Sequence, residues 1–404
     1  MISVDEALDL ILAGLPDLGS ETVPLASAVG HVLAADLTAA HTQPPFNSSA
    51  MDGYAVRAAD VAPGRPLRLA GTSQAGARFI GMMGPGQCVR IFTGAPVPIG
   101  ADAVIIQEDA VVDGRNISFT AGAAAGQMIR HRGHDFKAGA SLLPAGSLLT
   151  PAAVSLAASA GRPSVTVHRG PRIAILATGD ELVPPGTEPG NDQIVASNGY
   201  GLAALLTGDA QAIQDLGIVP DDESRIEAAL LSALDGGVDV IITTGGASVG
   251  ERDLIQKVLV DLGVEIDFWK LAMKPGKPLM FGRRGNVLIF GLPGNPVSAL
   301  VTASVIVQPT VRALAGHQNP FPRRFSCPLA AAIPANGPRR HYLRAQLQVN
   351  DLGLLEVQPL RETDSAHLTS LVAADCLIIH RENAPSIGAG DFVEVMPLSS
   401  GFPG

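Results

Sequence analysis

Between residues 172 and 314 the chain alternates two hydrophobic rhythms. "RIAILATG", "VDVIITTGG" and "VLIFGLPG" are short apolar runs that stop at glycine, and "QAIQDLGIV" and "IDFWKL" add two weaker ones. Between them, "NGYGLAALLTG", "DDESRIEAALLSALDGG" and "PVSALVTASVIVQPTVRAL" repeat apolar residues at helical spacing. A further helix is expected from Asp253, with Leu254, Val258 and Leu262 on one side. A continuously apolar strand needs cover on both faces, and helices between such strands supply it. The pattern predicts a doubly wound, mainly parallel sheet, with ligands outside the carboxyl ends of its strands. Asp221 or Asp222 serves as N-cap of the "ESRIEAALLSALD" helix, and Gly236 ends it.

The flanks read differently. Residues 3 to 15 predict an amphipathic helix, with Val4, Leu8, Ile11, Leu12 and Leu15 on one face and Ser3 as N-cap. From about 40 to 140, short apolar runs such as "PLRLAG" and "AVIIQE" alternate with Gly and Pro turns, as in a β-rich domain. "TPAAVSLAASAG" is a helix ended by Gly161. After residue 320, "RAQLQVNDLGLLEVQPL" predicts a hairpin, and "DCLIIHRE" and "DFVEVMPL" add strands of a small all-β, β-barrel-like domain. The fold class is therefore α/β and multidomain, and 404 residues suit two to four domains of roughly 100–200 residues.

Charge and composition narrow the partners. A net charge of −10 with only 4% aromatic residues argues against nucleic acid, which attracts clustered Lys and Arg and stacking rings. Anions must then be held locally, by backbone amides and a few placed cations. Cys88, Cys327 and Cys376 are widely spaced and odd in number, which argues against a disulfide framework or a cysteine zinc site. Asp5, Glu6 and Asp9 stand where a signal peptide carries positive charge. Ser, Thr, Gln308, Pro309 and Arg312 interrupt the most apolar stretch, so no membrane span is expected. A cytoplasmic setting follows as the expectation.

The informative motifs fall at strand ends. "LATGDELVPPG" places Thr178, Gly179, Asp180 and Glu181 after one strand, and "TTGGASVGERD" places Gly245, Gly246, Ser248, Gly250 and Asp253 after another. "GLPGNPVS" places Gly291, Gly294 and Asn295 ahead of the last helix. Glycine lets a backbone approach a ligand, and its N–H groups with the helix terminus beyond can hold phosphate. A carboxylate beside a phosphate repels it unless Mg²⁺ bridges the two, so Asp253 and Glu181 suggest a metal-assisted phosphoryl site. "WKLAMKPGKPLMFG" supplies Lys270, Lys274 and Lys277 on a loop stiffened by Pro275 and Pro278. Neither a Walker A pattern nor G-x-G-x-x-G occurs. Taken singly, each loop is as readily an ordinary turn, Asp221 a cap and Lys270 a solvated charge. His131 and His134 in "HRGHD" lack further metal ligands nearby, so a salt bridge within the loop is expected there.

With these residues in view the chain resembles the molybdopterin molybdenumtransferases, the family that includes the E domain of gephyrin. "NSSAMDGYAVR", "RIFTGAPVPIGADAVIIQED", "IRHRGHDFKAG", "ATGDELV", "TTGGASVGERD", "KLAMKPGKP" and "GLPGNPVS" resemble its signatures in order, and "HYLRA" and "DSAHLTSL" resemble two shorter ones. His134 departs from the pattern, standing where an acidic residue often precedes the aspartate. The resemblance implies an elongated homodimer of four-domain subunits. Residues 1–20 with 172–320 would form the α/β molybdopterin-binding domain, and 21–38 with 140–171 a linking domain. Residues 39–139 would form a β-rich domain that completes the partner's active site, and 321–404 a C-terminal all-β domain.

The reaction implied is Mg²⁺-dependent: adenylylated molybdopterin and molybdate give the molybdenum cofactor and AMP. Asp52, Thr93, Asp135, Glu181, Asp221 and Asp253 fall on family positions implicated in activity. Lys270 and Lys274 match its lysines, Pro293 and Pro296 its prolines, and Arg344 and Ser365 its C-terminal pair. Thr178 and the glycine-rich loops, with Asn295, are expected on the substrate. Molybdate is a dianion, which Lys274, Lys277 and Arg344 with the hydroxyls of Ser298 and Ser365 can hold. Asp52 and Asp135 lie far in sequence from the sheet, so their part requires a dimer.

Two other functions fit the same residues. One is the adenylyltransferase of the same pathway, which is also a conceivable partner handing over substrate; its catalytic domain resembles residues 172–314. That family carries a Thr-Gly pair after the double glycine, where this chain has Ala247, Ser248 and Val249. The other is a non-catalytic scaffold, against which the retained Glu181, Asp253, Lys274 and Lys277 speak.

Overall fold

The computed structural model of the chain describes residues 1–245, 254–362 and 364–398. Its central sheet has six strands, in the spatial order Ala212–Val219, Arg172–Thr178, Val240–Thr244, Val287–Leu292, Met280–Arg284 and Glu265–Phe268. The first four run parallel. The last two are antiparallel to their neighbours, so the sheet is mainly parallel with an antiparallel edge. Val240–Thr244 is buried at all of its positions, as a central strand covered on both faces must be. Alternate residues feed two cores. Ile173, Ile175 and Ile242 pack with the N-terminal helix and the helix after Asn295, while Ala174, Leu176 and Ile241 pack with Ile226, Leu230, Ile255 and Val258.

The N-terminal helix spans Val4–Ala13, and Ser3 and Glu6 close a reciprocal capping box at its start. Asp222, not Asp221, caps the helix Glu223–Asp235, accepting from the Arg225 amide. The long apolar helix runs Pro296–Thr302, loosens into a π segment over Ala303–Val307 and continues through Gln308–Leu314. The wider turn precedes Pro309, which has no N–H to give and crowds the preceding turn. Pro296–Leu314 is long and apolar enough to cross a membrane, but 78% of its apolar window is buried inside the protein. Its polar residues turn inward too: Ser304 donates to the Leu300 carbonyl and Thr310 to that of Ile306.

The segment read as a lysine-bearing loop holds two strands, Met273–Lys274 and Met280–Arg284. The first joins the C-terminal sheet, in the order Met273–Lys274, Arg340–Val349, Cys376–His380, Phe392–Pro397, Phe325–Pro328, with Leu355–Pro359 paired to Arg340–Val349. A bridge between Leu329 and Val357 brings the two ends together into a barrel. All three cysteines are free and buried.

The β-rich region forms another six-stranded sheet, ordered Ala103–Ile106, Gly53–Val56, Gln87–Ile91, Leu67–Ser73, Asn116–Phe119 and Ala110–Asp113. Gly53 of "AMDGYA" is required by packing, since a Cβ there would stand 1.9 Å from the Ile105 carbonyl oxygen. Between this region and the α/β sheet, Ser20–Pro24 pairs with Ser164–His168, and Leu37–Thr38 with Ser141–Leu143. The helix Pro151–Ser159, capped by Thr150, packs Ala153 and Ala157 against Leu33, Leu149 and Val167.

Candidate functional site

The parallel strands end in step. Ala177 lies opposite Thr244, and Thr244 opposite Leu292, so the loops beyond them emerge side by side. Gly245 adopts φ +90° against Thr178, where an added Cβ would meet the Thr178 carbonyl oxygen at 2.3 Å. A Cβ on Gly294 would lie 3.9 Å from the Gly245 Cα, and one on Gly291 would meet Met280 at 2.9 Å. Thr178, Gly245, Gly291 and Gly294 are thus brought together. Pro293 is buried in the loop, and Pro296 is the first residue of the helix. Gly246, Ser248, Gly250 and Asp253 lie outside the described residues.

Three carboxylates gather at the adjoining strand ends. The Asp221 amide donates to Asp180 at 3.1 Å. The Glu181 carboxylate folds over Gly179, where a Cβ would meet its Oε2 at 2.3 Å. Burial, then the charges of Asp180 and Glu181, push the Asp221 carboxyl above its ordinary value. Because Asp222 performs the capping, Asp221 is left free for this cluster.

The cations come from two directions. Lys270, Lys274 and Lys277 are exposed, and none joins an ion pair among the described residues. Lys274 pairs with His341 across the barrel sheet. Beside it, Pro275, His341, Arg344, Leu360 and Glu362 line a small cavity. Burial and then Lys274 push the His341 imidazole down to about 4, which leaves it neutral at physiological pH. Arg344, expected on the anion, is 6% exposed and donates to the carbonyls of Glu362, Asp364 and His367 and to the Ser370 hydroxyl. Its fork holds the loop that carries Ser365. Ser365 then accepts from Asn295 at 2.8 Å, and its carbonyl accepts from the Val297 amide at 3.1 Å. Ser298, buried in the first turn of that helix, lies three residues beyond Asn295. Ser298, Ser365 and Arg344 are thus connected through one loop.

Asp52 and Thr93 meet in the β-rich region. One Asp52 oxygen accepts both the Thr93 amide, at 2.7 Å, and its hydroxyl, at 2.8 Å. These bonds, the amide first, hold the carboxyl below its usual range. Asp135 is exposed in the loop before Phe136, with its amide on the Gln43 carbonyl. No ion pair holds His131 or His134 among the described residues, so the salt bridge expected in "HRGHD" does not form. Among the described residues, none of the hydrogen bonds of Asp52, Thr93 or Asp135 reaches the strand-end loops of the same chain.

Comparison with known proteins adds to this geometry. Residues 2–161 match the family described as MoeA N-terminal region (domain I and II), residues 174–313 that described as probable molybdopterin binding domain, and residues 326–398 the MoeA C-terminal region (domain IV). A molybdopterin molybdenumtransferase of Haemophilus influenzae is 37% identical over 403 residues, covering 99% of each chain. One from Nostoc sp. is 33% identical over 412 residues, covering 98% of this chain and 94% of the relative. The chain belongs to the molybdopterin molybdenumtransferase family. The crystal structure of a molybdopterin biosynthesis MoeA protein from Pyrococcus horikoshii superposes with TM-score 0.84 at 29% identity, covering 98% of this chain and all of that one.

In this molybdopterin molybdenumtransferase, Asp180, Glu181 and Asp221 are hard oxygen donors of the kind Mg²⁺ prefers. The raised Asp221 carboxyl marks where a cation would relieve repulsion. No group of three or more His, Cys, Asp or Glu residues among those described is placed to hold a metal ion by itself. Two residues at the site escaped sequence reasoning. Asn198 donates to the Gly294 carbonyl at 2.7 Å, and His341 sits beside Lys274. The main-chain partner of Asn198 leaves no motif, and His341 reaches Lys274 only through strand pairing.

Proposed function

We propose that the chain inserts molybdate into adenylylated molybdopterin and releases AMP in a Mg²⁺-dependent reaction. The observation that carries this reading is the meeting of three glycine-bearing strand ends with a carboxylate cluster on one side and, on the other, lysines that join no ion pair among the described residues. Loop amides near Gly245 and Gly294 suit a pyrophosphate. Lys274 and Lys277, with the hydroxyls of Ser298 and Ser365, suit a tetrahedral dianion. Arg344 supports that pocket by anchoring the loop of Ser365. Glu181, with Asp221 beside it, and Asp253 are the residues that would hold Mg²⁺, which when bound supplies Lewis-acid polarisation of the phosphoanhydride.

The reading includes a homodimer. Asp52, whose carboxyl Thr93 holds below its usual range, and Asp135 make no hydrogen bond to the strand-end loops among the described residues, so a second copy would present them. It also includes a cytoplasmic setting, supported by three free cysteines, and receipt of substrate from the adenylyltransferase that makes it.

The test is a single-turnover assay under anaerobic conditions with adenylylated molybdopterin, molybdate and Mg²⁺. AMP release should require all three and should yield a product that activates an apo-molybdoenzyme. Asp253→Asn should slow AMP release by ~10²–10³, with partial recovery at high Mg²⁺. AMP release independent of molybdate and metal would overturn the reading. A fully active monomer in sedimentation would remove the dimer.

A further inference from the structure

Asn198 opens the helix Asn198–Leu206 and extends its carboxamide to the loop after the last parallel strand. There Nδ2 donates to the Gly294 carbonyl at 2.7 Å. That bond sets the orientation of the amide, because its oxygen facing a carbonyl would find no donor. Oδ1 is consequently buried, with no hydrogen-bond partner among the described residues.

Two further side-chain oxygens in the same state stand close by. The Thr178 and Thr243 hydroxyls are also buried and unpartnered, on residues 2% and 0% exposed. Thr178 Oγ1 lies 3.2 Å from where a Gly245 Cβ would stand, and Thr243 Oγ1 lies 3.5 Å from the same point on Gly291. Gly294, held by Asn198, packs next to Gly245. Asn198 Oδ1 belongs to the residue that holds the Gly294 loop, and the two hydroxyls sit at the ends of neighbouring strands. A hydroxyl can rotate toward whatever acceptor is near, but an amide oxygen can only accept. Native proteins rarely bury an acceptor without a donor, so the exception on the side chain that holds a strand-end loop points to a donor carried by a ligand.

We propose that Asn198 binds substrate directly: Oδ1 accepts an N–H from a ring of the bound nucleotide–pterin while Nδ2 holds the Gly294 carbonyl. This rests on the function proposed above. A pterin and an adenine both present such N–H groups, whereas the pyrophosphate between them presents none. One side chain would then align the loop amides with the pyrophosphate and sense the ring attached to it.

The test measures binding of AMP, of molybdopterin kept anaerobic, and of inorganic pyrophosphate to the full chain. It compares wild type with Asn198→Ala and with Asn198→Ser, whose hydroxyl is too short to span both partners and which serves if Ala does not fold. The expected result is a roughly ten- to hundredfold loss of affinity for one ring-bearing probe, the size of one lost hydrogen bond to a buried acceptor, with a much smaller loss for pyrophosphate through the loosened Gly294 loop. The probe that suffers identifies the ring. Equal losses for all three probes would reduce Asn198 to a support for the loop, and unchanged affinities would remove it from the site; either overturns the proposal. If wild type binds neither ring-bearing probe, the functional reading itself fails with it.

Discussion

Arg340 grips Asp5 through two hydrogen bonds of 2.7 Å across 335 residues of sequence. The pair ties the N-terminal helix to the first long strand of the barrel. Around it, Ile2 bridges Leu271, the Ala272 amide donates to Ile2, and the Arg340 amide donates to Ala272. Arg340 is 8% exposed and also meets Glu382, so its charge is neutralised from both sides.

Asp5→Asn is expected to destabilise the protein at neutral pH and not in acid. Arg340 holds the Asp5 carboxyl below its ordinary value. A depressed carboxyl contributes stability above its unfolded value, and that contribution is lost as pH falls through the folded one. Asp5 is largely exposed, so the loss at pH 7 should be only about 1 kcal/mol. Urea unfolding of wild type and variant should differ at pH 7 and converge below the carboxylate range. A deficit of the same size at both would assign the effect to packing.

Asp221→Asn should do the opposite to stability while impairing the enzyme. Its carboxyl is raised by burial and by Asp180 and Glu181, so ionising it costs folding free energy. Stability tied to this group is complete below the unfolded value and falls as pH rises through the folded one. The variant should therefore melt higher than wild type at pH 7 and level with it in acid. AMP release should fall, since a carboxylate kept at such a cost is placed for a cation. A lower melting point at pH 7 would show that Asp221 is structural.

Thr93→Val removes the hydroxyl that orients Asp52 but keeps the shape of the side chain. The Asp52 carboxyl should then titrate closer to its ordinary value, read from its carbon resonance, with the melting point unchanged because both residues are at the surface. Activity should drop roughly ten- to hundredfold, the usual consequence of misplacing a reacting group. An unshifted titration would mean that the Thr93 amide alone sets the charge.

Lys274→Ala and Lys277→Ala should each weaken molybdate binding by about 1.5–3 kcal/mol, the worth of one hydrogen bond to a charged group. AMP binding should change far less. Losses of equal size for both ligands, measured by calorimetry, would move these lysines to the phosphates.

The parallel strands were legible because burial on both faces imposes unbroken apolar runs such as those ending at Thr178 and Thr244. The meeting of Thr178, Gly245 and Gly294 followed from strand ends alone. Met280–Arg284 escaped because Gly282, Arg283 and Arg284 carry no strand rhythm, and its pairing is supplied by Val287–Leu292. Asp221 and Asp222 could not be separated by type, since either can cap a helix; backbone geometry chose. The partners of Arg344 and Asn198 escaped sequence reasoning for one shared reason. Their acceptors are mainly peptide carbonyls, which every residue carries and no motif reports.

Met273 and Lys274 form a strand of the barrel, although the chain on both sides of them belongs to the parallel sheet. The small C-terminal unit therefore cannot be treated as a detachable module. A chimera that kept residues up to the long helix and borrowed its barrel from a relative would inherit a foreign partner for Lys274. It would retain the strand-end loops intact and lose control over where that ammonium group stands.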